Sequence, residues 1–260
     1  MDFRDFIDDV ARSVGFLSRI QVPQRHFINY DGKLSRAVRA FPAAGILIAL
    51  PAAALVSVFS ALHADPLFTA FVALAVQALV TGALHEDGLS DTADGFGGGR
   101  DRESALTIMR DSRIGTYGGV ALILSFALRA AALAAIIPHL SHTGVGLVLL
   151  AVAALSRAAM VWHWSRLSPA RTDGVAASVG EPDKDATLVA LVSGIGIAAL
   201  LMLFNAPLLA TVLVVAAFAA TVIAFGDIVS GKIGGYTGDT IGATQQLTEI
   251  AMLAALALCL

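Results

Sequence analysis

Residues 116–137 read TYGGVALILSFALRAAALAAII, and this stretch decides the class of fold. It contains one charged side chain, Arg129, and a helix of this length crosses the roughly 30 Å of hydrocarbon in a bilayer. Because lipid cannot hydrogen-bond the backbone, such a stretch must be helical inside a membrane. Stretches of the same kind occupy residues 38–61, 66–84, 143–163, 187–204, 207–225 and 242–259. The sequence therefore predicts an all-α, polytopic integral membrane helical bundle of about seven transmembrane helices, forming a single membrane domain over residues 1–260.

Composition supports the membrane class and excludes others. Hydrophobic residues make up 57% of the chain and charged residues 14%, whereas a soluble domain needs more charge to cover its surface. The net charge of −3 gives no indication of a nucleic-acid partner. A single cysteine, Cys259, excludes a disulfide framework or a thiolate metal site.

The basic residues predict the orientation of the spans. The loops after the first, third and fifth spans contain no Lys or Arg, whereas the alternate connections are basic. Seven basic residues lie at or before the start of the first span: Arg4, Arg12, Arg19, Arg25, Lys33, Arg36 and Arg39. By the positive-inside rule, the N-terminus and the even-numbered connections face the cytoplasm, and the C-terminus faces outward.

Residues 1–36 are predicted to be a cytoplasmic N-terminal segment with an amphipathic helix. Apolar side chains recur there at helical spacing opposite charged ones: Phe3, Phe6, Ile7, Val10, Val14 and Leu17. Such a helix either lies in the membrane interface or packs on the cytoplasmic face of the bundle. The sequence leaves both interpretations open.

The connection over residues 85–113 reads HEDGLSDTADGFGGGRDRESALTIMRDSR and is strongly acidic. Asp87, Asp91 and Asp94 are spaced so that all three fall on one face of a helix. Three close carboxylates repel one another unless a cation joins them, and oxygen ligands suit Mg²⁺ or Mn²⁺. We therefore predict a metal site at these residues, with Glu86 as a further candidate ligand.

Groups suited to a diphosphate surround the aspartates. Gly97 and Gly98 belong to a glycine run that would let backbone N–H groups approach an anion, and Arg100 follows it. Asp111 and Arg113 close the segment, as a candidate base and a candidate charge clamp. His85 is open to three interpretations: a general base, a ligand or an interfacial residue.

A second polar segment, residues 226–241, is predicted on the same membrane side. Asp227, Lys232 and Asp239 lie there among glycines, and we expect them to close the site from the other end of the bundle. Glu249 lies about two turns into the last predicted span, where an unpaired charge is costly. It is therefore a substrate-binding candidate or half of a buried pair with Arg129 or Arg157.

The motifs resemble those of the cobalamin synthase (adenosylcobinamide-GDP ribazoletransferase) family. The strings are HEDGLSDTADG (85–95), MRDSRIGTYG (109–118), FLSRIQVP (16–23), FPAAG (41–45), LSRAAM (155–160) and GGYTGDTIGA (234–243). The resemblance implies an Mg²⁺-dependent phosphotransferase of the bacterial cytoplasmic (inner) membrane. It would join adenosylcobinamide-GDP to α-ribazole or its 5′-phosphate and release GMP, late in vitamin B12 biosynthesis.

Within that family resemblance, each candidate residue has an expected role. The aspartates would hold Mg²⁺ on the diphosphate, and Asp111 or His85 would take the proton of the attacking hydroxyl. Arg113 and Arg100 would stabilise the developing charge. The lipid bilayer is an expected partner. Other late cobalamin-pathway enzymes and a second copy of the chain are partners that the sequence leaves open.

Other functions remain as alternatives. A CDP-alcohol phosphotransferase or a prenyltransferase would also place aspartates on Mg²⁺ at a membrane surface. The former would usually have Ala-Arg after its first Asp-Gly pair, where this chain has Leu89-Ser90. A non-enzymatic transporter predicts acidic residues near the middle of spans, whereas here all but Glu249 cluster at one surface.

Overall fold

The computed structural model describes residues 3–260, and over these residues the regular secondary structure is helical, which confirms the all-α prediction. One isolated parallel β-bridge joins Pro169 to Tyr236. The α-helices are α1 (Phe3–Leu17), α2 (Phe41–Ala61), α3 (Pro66–Thr81), α4 (Leu84–Gly98), α5 (Arg102–Ile108), α6 (Thr116–Ile136), α7 (His142–Arg166), α8 (Val175–Ser178), α9 (Lys184–Leu203), α10 (Leu208–Ile233) and α11 (Gly238–Ala257).

Fewer helices than predicted are long and apolar enough to span a membrane. Within the described residues there are five, or six if the bent pair α3–α4 counts as one span, against the predicted seven. The five are Ala37–Ala61, Thr116–His139, His142–Arg166, Lys184–Leu203 and Leu208–Ile233. The predicted stretch 66–84 yields only α3, whose 16 residues span about 24 Å before the chain bends by 92° into α4. The predicted stretch 242–259 belongs to α11, which is long enough but too polar.

Small residues let α2, α7 and α9 pack closely. A Cβ on Gly45 of α2 would lie 2.6 Å from the carbonyl oxygen of Ala153, and one on Gly194 of α9 would lie 2.7 Å from the Cβ of Ala158. Both alanines belong to α7, of whose apolar stretch 89% is buried. Close backbone approach of this kind stabilises helix pairs in a membrane. Moving an apolar side chain from lipid into the protein interior gains little free energy, so tight packing has to supply the stability.

Helix α11, which carries many polar residues, is enclosed by others. It contacts α4, α6, α7 and α10, and its polar side chains are buried. The buried set is Thr240, Thr244, Gln245, Gln246, Thr248 and Glu249. Because neighbouring helices rather than lipid surround these groups, α11 tolerates a composition that would be costly on the outside of the bundle.

The N-terminal helix α1 packs against α2 through part of its apolar face. Val14 and Leu17 are buried, whereas Phe3 is 75% exposed and Ile7 42% exposed. The buried carboxylate of Asp9 accepts a charge-assisted hydrogen bond from Arg39 at 2.7 Å. The C-terminal end of α1 therefore packs on the bundle. Apolar side chains in its first two turns remain exposed and are available to contact a membrane interface.

Candidate active site

Helices α4 and α11 cross where glycines remove the side chains between them. The chain enters α4 through two left-handed residues, Gly82 (φ 68°) and Ala83 (φ 59°), which produce the sharp bend after α3. A Cβ on Gly88 would lie 2.7 Å from the carbonyl oxygen of Asp239. A Cβ on Gly242 would lie 3.4 Å from the Cα of His85. This close crossing brings the first acidic segment against the second, as the sequence predicted for one shared cleft.

The crossing gathers an excess of negative charge. Asp91 lies within electrostatic range of Asp87, Asp94 and Asp239, and of one guanidinium, that of Arg171. Arg171 donates to Asp239 at 2.9 Å. Burial raises the pKa of Asp239 above its ordinary value, against the opposing effect of the Arg171 charge. We call Asp87, Asp91 and Asp239 the acidic face.

Asp94 shares the helix face but has a different local role. Its two carboxylate oxygens accept backbone N–H groups from Gly115 at 2.7 Å and from Gly118 at 2.8 Å. These donors open α6, so the carboxylate satisfies N–H groups that a helix start leaves unpaired. A Cβ on Gly118 would lie 2.3 Å from the same carboxylate. Asp94, which was predicted as a metal ligand, therefore caps the N-terminus of α6 and joins α4 to α6.

The acidic face is suited to Mg²⁺ only as part of a larger coordination sphere. No three described His, Cys, Asp or Glu residues converge closely enough to hold a metal by themselves. Mg²⁺ commonly takes one or two carboxylates and completes its octahedron with water and substrate phosphate oxygens. The donors present fit that pattern, because Asp87 is exposed and Asp91 half-buried at the edge of the cleft.

Glu86, also predicted as a metal ligand, points away from the acidic face. Its Oε1 lies 3.4 Å from Nη2 of Arg129, and Gln246 donates to the same oxygen at 3.1 Å. Arg129 in turn lies 3.5 Å from Glu249. The prediction of a metal ligand here is therefore not supported, since the carboxylate is engaged by a buried cation in the bundle.

The same cluster settles the place of Glu249 and Arg157. The Oε2 of Glu249 lies 3.7 Å from Nη1 of Arg157 and also accepts from Gln245. All four charged residues, two Glu and two Arg, are at least 95% buried. The interpretation of Glu249 as half of a buried pair is confirmed, and both predicted partners take part. We call Glu86, Arg129, Arg157 and Glu249 the buried ion-pair network.

The glycine run does not form an anion cradle. Gly97 and Gly98 lie in the last turn of α4, with Gly99 as its cap. A helix C-terminus presents carbonyl groups and the negative end of the dipole, which disfavours phosphate. Gly97 instead leaves room for the ring of Tyr117, whose nearest atom would lie 2.5 Å from an added Cβ. Sequence could not distinguish the two uses of glycine, because both require only the missing side chain.

The remaining predicted residues lie on the rim or outside the cleft. Arg113 pairs with Asp111 at 2.6 Å on the exposed surface, and hydrogen bonds from Arg113 lower the pKa of Asp111 to about 2. Arg100 is exposed just after α4. Lys232 donates to the carbonyl of Phe96 at 3.3 Å.

Asp227 is not brought to the acidic face. It lines a separate cleft with Trp162 and Arg166, on the side of α10 that faces the end of α7. The sequence predicted that it would join Asp239, because both lie in one short segment. The helical course of α10 up to Ile233 separates them instead.

Two further arginines organise the site through contacts that the sequence did not predict. Arg171 was assigned no role, yet it is the guanidinium that pairs with Asp239. Arg102 donates to the carbonyls of Ile233 at 2.8 Å and Ala170 at 2.6 Å, so it ties α5 to the two chain segments that flank the cleft. The sequence offered Arg102, like Arg100, as a possible bidentate contact to an anion, whereas Arg171 was only a basic residue in a connection, a signal too general to assign a contact.

Comparisons with known proteins show the family of the chain. The family model of cobalamin-5-phosphate synthase matches residues 9–257. A protein of Sinorhizobium medicae named adenosylcobinamide-GDP ribazoletransferase is 66% identical over all of this chain and 99% of its own length. Proteins of the same name from Rhizobium etli (strain CIAT 652) and Brucella anthropi are 56% and 42% identical, each with full coverage of both chains. No solved structure matches the chain.

Proposed function

The chain belongs to the cobalamin-5-phosphate synthase family, and from that membership we propose that it transfers adenosylcobinamide phosphate from adenosylcobinamide-GDP to α-ribazole or α-ribazole 5′-phosphate. The 3′-hydroxyl of the acceptor forms a bond to the cobinamide-linked phosphorus. The bond from that phosphorus to the bridging oxygen breaks, and GMP leaves with the electron pair. A proton leaves the attacking hydroxyl.

The observation that carries this proposal is the uncompensated charge of the acidic face. Among the described residues, the charges that act on Asp91 are the carboxylates of Asp87, Asp94 and Asp239 and one guanidinium, that of Arg171, which donates to Asp239. A diphosphate adds further negative charge, which favours a divalent cation between the two. Asp87 and Asp91 would hold Mg²⁺ (or Mn²⁺) together with diphosphate oxygens, and the ion would neutralise charge on the non-bridging and leaving oxygens.

The protein's own groups then position the reactants. Arg171, fixed by Asp239, lies where it would contact a phosphate oxygen at the edge of the cleft. Phosphoryl transfer depends chiefly on positioning and charge neutralisation, so a rigid crossing of α4 and α11 is suited to it. Gly88 and Gly242 make that crossing close enough for both helices to contribute to one site.

Of the two candidate bases, His85 is the better placed. It lines the same cavity as Asp87 and Asp239, and its Nε2 has no hydrogen-bond partner among the described residues. Asp111 does not line this cavity and is held in an exposed pair with Arg113 at 2.6 Å. We assign the proton of the attacking hydroxyl to His85.

The proposal includes a location. A multi-pass helical protein of this kind would reside in the bacterial cytoplasmic membrane with the acidic face toward the cytoplasm, where its nucleotide substrates are made. The excess of Lys and Arg before the first span and around the cleft supports that orientation.

The decisive assay measures GMP release by the purified protein from adenosylcobinamide-GDP, with and without α-ribazole 5′-phosphate and Mg²⁺. We expect release only when all components are present, together with one equivalent of cobalamin 5′-phosphate. Release of CMP from a CDP-activated lipid, or of diphosphate from a prenyl donor, without any GMP would overturn the proposal.

A further inference from the structure

A cavity beside the acidic face is lined by two chemically different groups of residues. It lies between α1, α4, α7, α8 and α11 and has a volume of about 330 Å³. We call the polar group, His85, Asp87 and Asp239, the polar end, and the apolar group the apolar end. We propose that the other, apolar end binds the heterocyclic base of the nucleoside acceptor, an inference that rests on the proposed function.

The apolar end has the shape and rigidity that a flat base requires. Its wall includes Phe16, Leu17, Met160 and Trp164. The indole of Trp164 is buried and held by a neighbouring ring, since its centroid lies 6.2 Å from that of Tyr236 in an edge-on contact. An aromatic side chain fixed in this way contributes a large contact area without losing rotamer freedom on binding.

The polar end suits the sugar of the same acceptor. The unpartnered Nε2 of His85 is buried, and leaving such an atom without a hydrogen bond costs free energy unless a ligand satisfies it. Asp87 and Asp239 line the same cavity. A ribose with its base against Trp164 would present its hydroxyls to His85 and to the acidic face, where the donor phosphorus must lie.

Size and polarity favour the acceptor over the donor as the occupant. Small-molecule sites range from about 300 to 1,000 Å³, so this cavity holds one nucleoside and not a corrinoid with its nucleotide. Guanine needs several hydrogen bonds along its edge, and unpaired polar groups of a ligand disfavour an apolar pocket. The dimethylbenzimidazole base of α-ribazole has methyl groups along that edge and is satisfied by apolar contact.

Filling the cavity tests the assignment. Ala176 lines it from α8, outside the helices of the bundle. Ala176→Phe should raise the KM for α-ribazole 5′-phosphate about tenfold or more and leave the KM for adenosylcobinamide-GDP within about twofold. Ala61→Phe, at the exposed end of α2, is the matched control and should change neither constant. An unchanged acceptor KM, or an equal rise for the donor, would overturn the assignment.

Enlarging the cavity should increase activity toward a larger acceptor, a result that a folding defect cannot produce. Met160→Ala should increase kcat/KM for a naphthimidazole riboside relative to α-ribazole about tenfold. An unchanged ratio would place the base elsewhere. If the wild-type protein releases no GMP, the proposed function is wrong. If the wild-type protein turns over normally and the variants show no change in KM or in the kcat/KM ratio, only the base site is wrong.

Discussion

The buried ion-pair network and the acidic face take carboxylates from the same two helices, α4 and α11, yet they handle charge in opposite ways. In the network, Glu86 and Glu249 are matched by Arg129 and Arg157, and all four are buried. On the acidic face, Asp91 lies among several carboxylates and one guanidinium of the described residues, that of Arg171, and the cleft is open. Neighbouring residues in the chain, Glu86 and Asp87, therefore belong to different kinds of site.

Burial explains the difference. A charge enclosed by apolar helices is too costly to remain unpaired, so the protein must supply the opposite charge itself. A charge at the edge of a cleft is only partly desolvated, and its surplus can be neutralised by a bound cation. The network therefore stabilises the crossing of the helices, whereas the acidic face is free for a ligand.

The largest effect is expected from breaking the network. Arg129→Met leaves two buried carboxylates with one remaining cation, and removing one partner of a buried pair typically costs about 3–5 kcal/mol. We expect a loss of that order in the free energy of unfolding, measured by denaturant titration in detergent micelles. Arg166→Met is the control: this exposed guanidinium lies over the Trp162 ring at 5.4 Å, and its loss should cost less than about 1 kcal/mol.

A second variant shows whether charge balance is the cause. Arg129→Met combined with Glu86→Gln leaves one Glu and one Arg, so most of the lost stability should return. If the double variant is as unstable as the sum of the two single variants, shape rather than charge pairing accounts for the loss.

Removing charge from the acidic face should have the opposite signature. Asp91→Asn removes one of several carboxylates that repel one another, so stability should be kept or slightly raised. Turnover should fall about 10²–10³-fold, and the Mg²⁺ concentration for half-maximal rate should rise. Asp185→Asn, an exposed carboxylate on α9, is the matched control for charge. Near-normal turnover of Asp91→Asn at ordinary Mg²⁺ would rule out the metal site.

The sequence predicted parts of this contrast and missed others for physical reasons. Helical spacing was enough to place Asp87, Asp91 and Asp94 on one face, because that depends only on local geometry. The same spacing could not show that Asp94 caps α6, since its partners Gly115 and Gly118 are set by how two helices pack. Membrane burial predicted a partner for Glu249 before any contact was visible.

Hydropathy alone could not predict the bend before α4. The sequence marks residues 85–113 as a surface connection because it is acidic, whereas α4 is a helix with eight buried residues, among them Glu86 and Asp94. Polar residues that face other helices resemble a loop in composition. The change of direction depends on Gly82 and Ala83 in left-handed conformation, and one of these is not glycine.

The crossing itself links the two regions, and tightening it should affect both moderately. An added methyl in Gly88→Ala would lie 2.7 Å from the Asp239 carbonyl oxygen, so one helix must shift, at a cost of about 1–3 kcal/mol. Displacing Asp239 from Asp87 should lower turnover about tenfold. Gly119→Ala on α6 meets no described atom within 4 Å and should be neutral or stabilising. Equal stability and turnover in both variants would mean that the close approach is not needed.

The smallest effect is expected at Asp111, which the sequence proposed as a base. Arg113 lowers the pKa of Asp111 to about 2, so the carboxylate stays ionised above that pH and does not titrate between pH 5 and 9. Since its folded pKa is depressed, any stability it provides would be lost only in strong acid, outside the range of the assay. Asp111→Asn should therefore leave the pH profile of kcat/KM unshifted and its maximum within about twofold of the wild type. If the acidic limb of the profile were lost, or if turnover fell as far as in Asp91→Asn, Asp111 at the rim of the cleft would be the base. The reacting hydroxyl would then not lie next to His85.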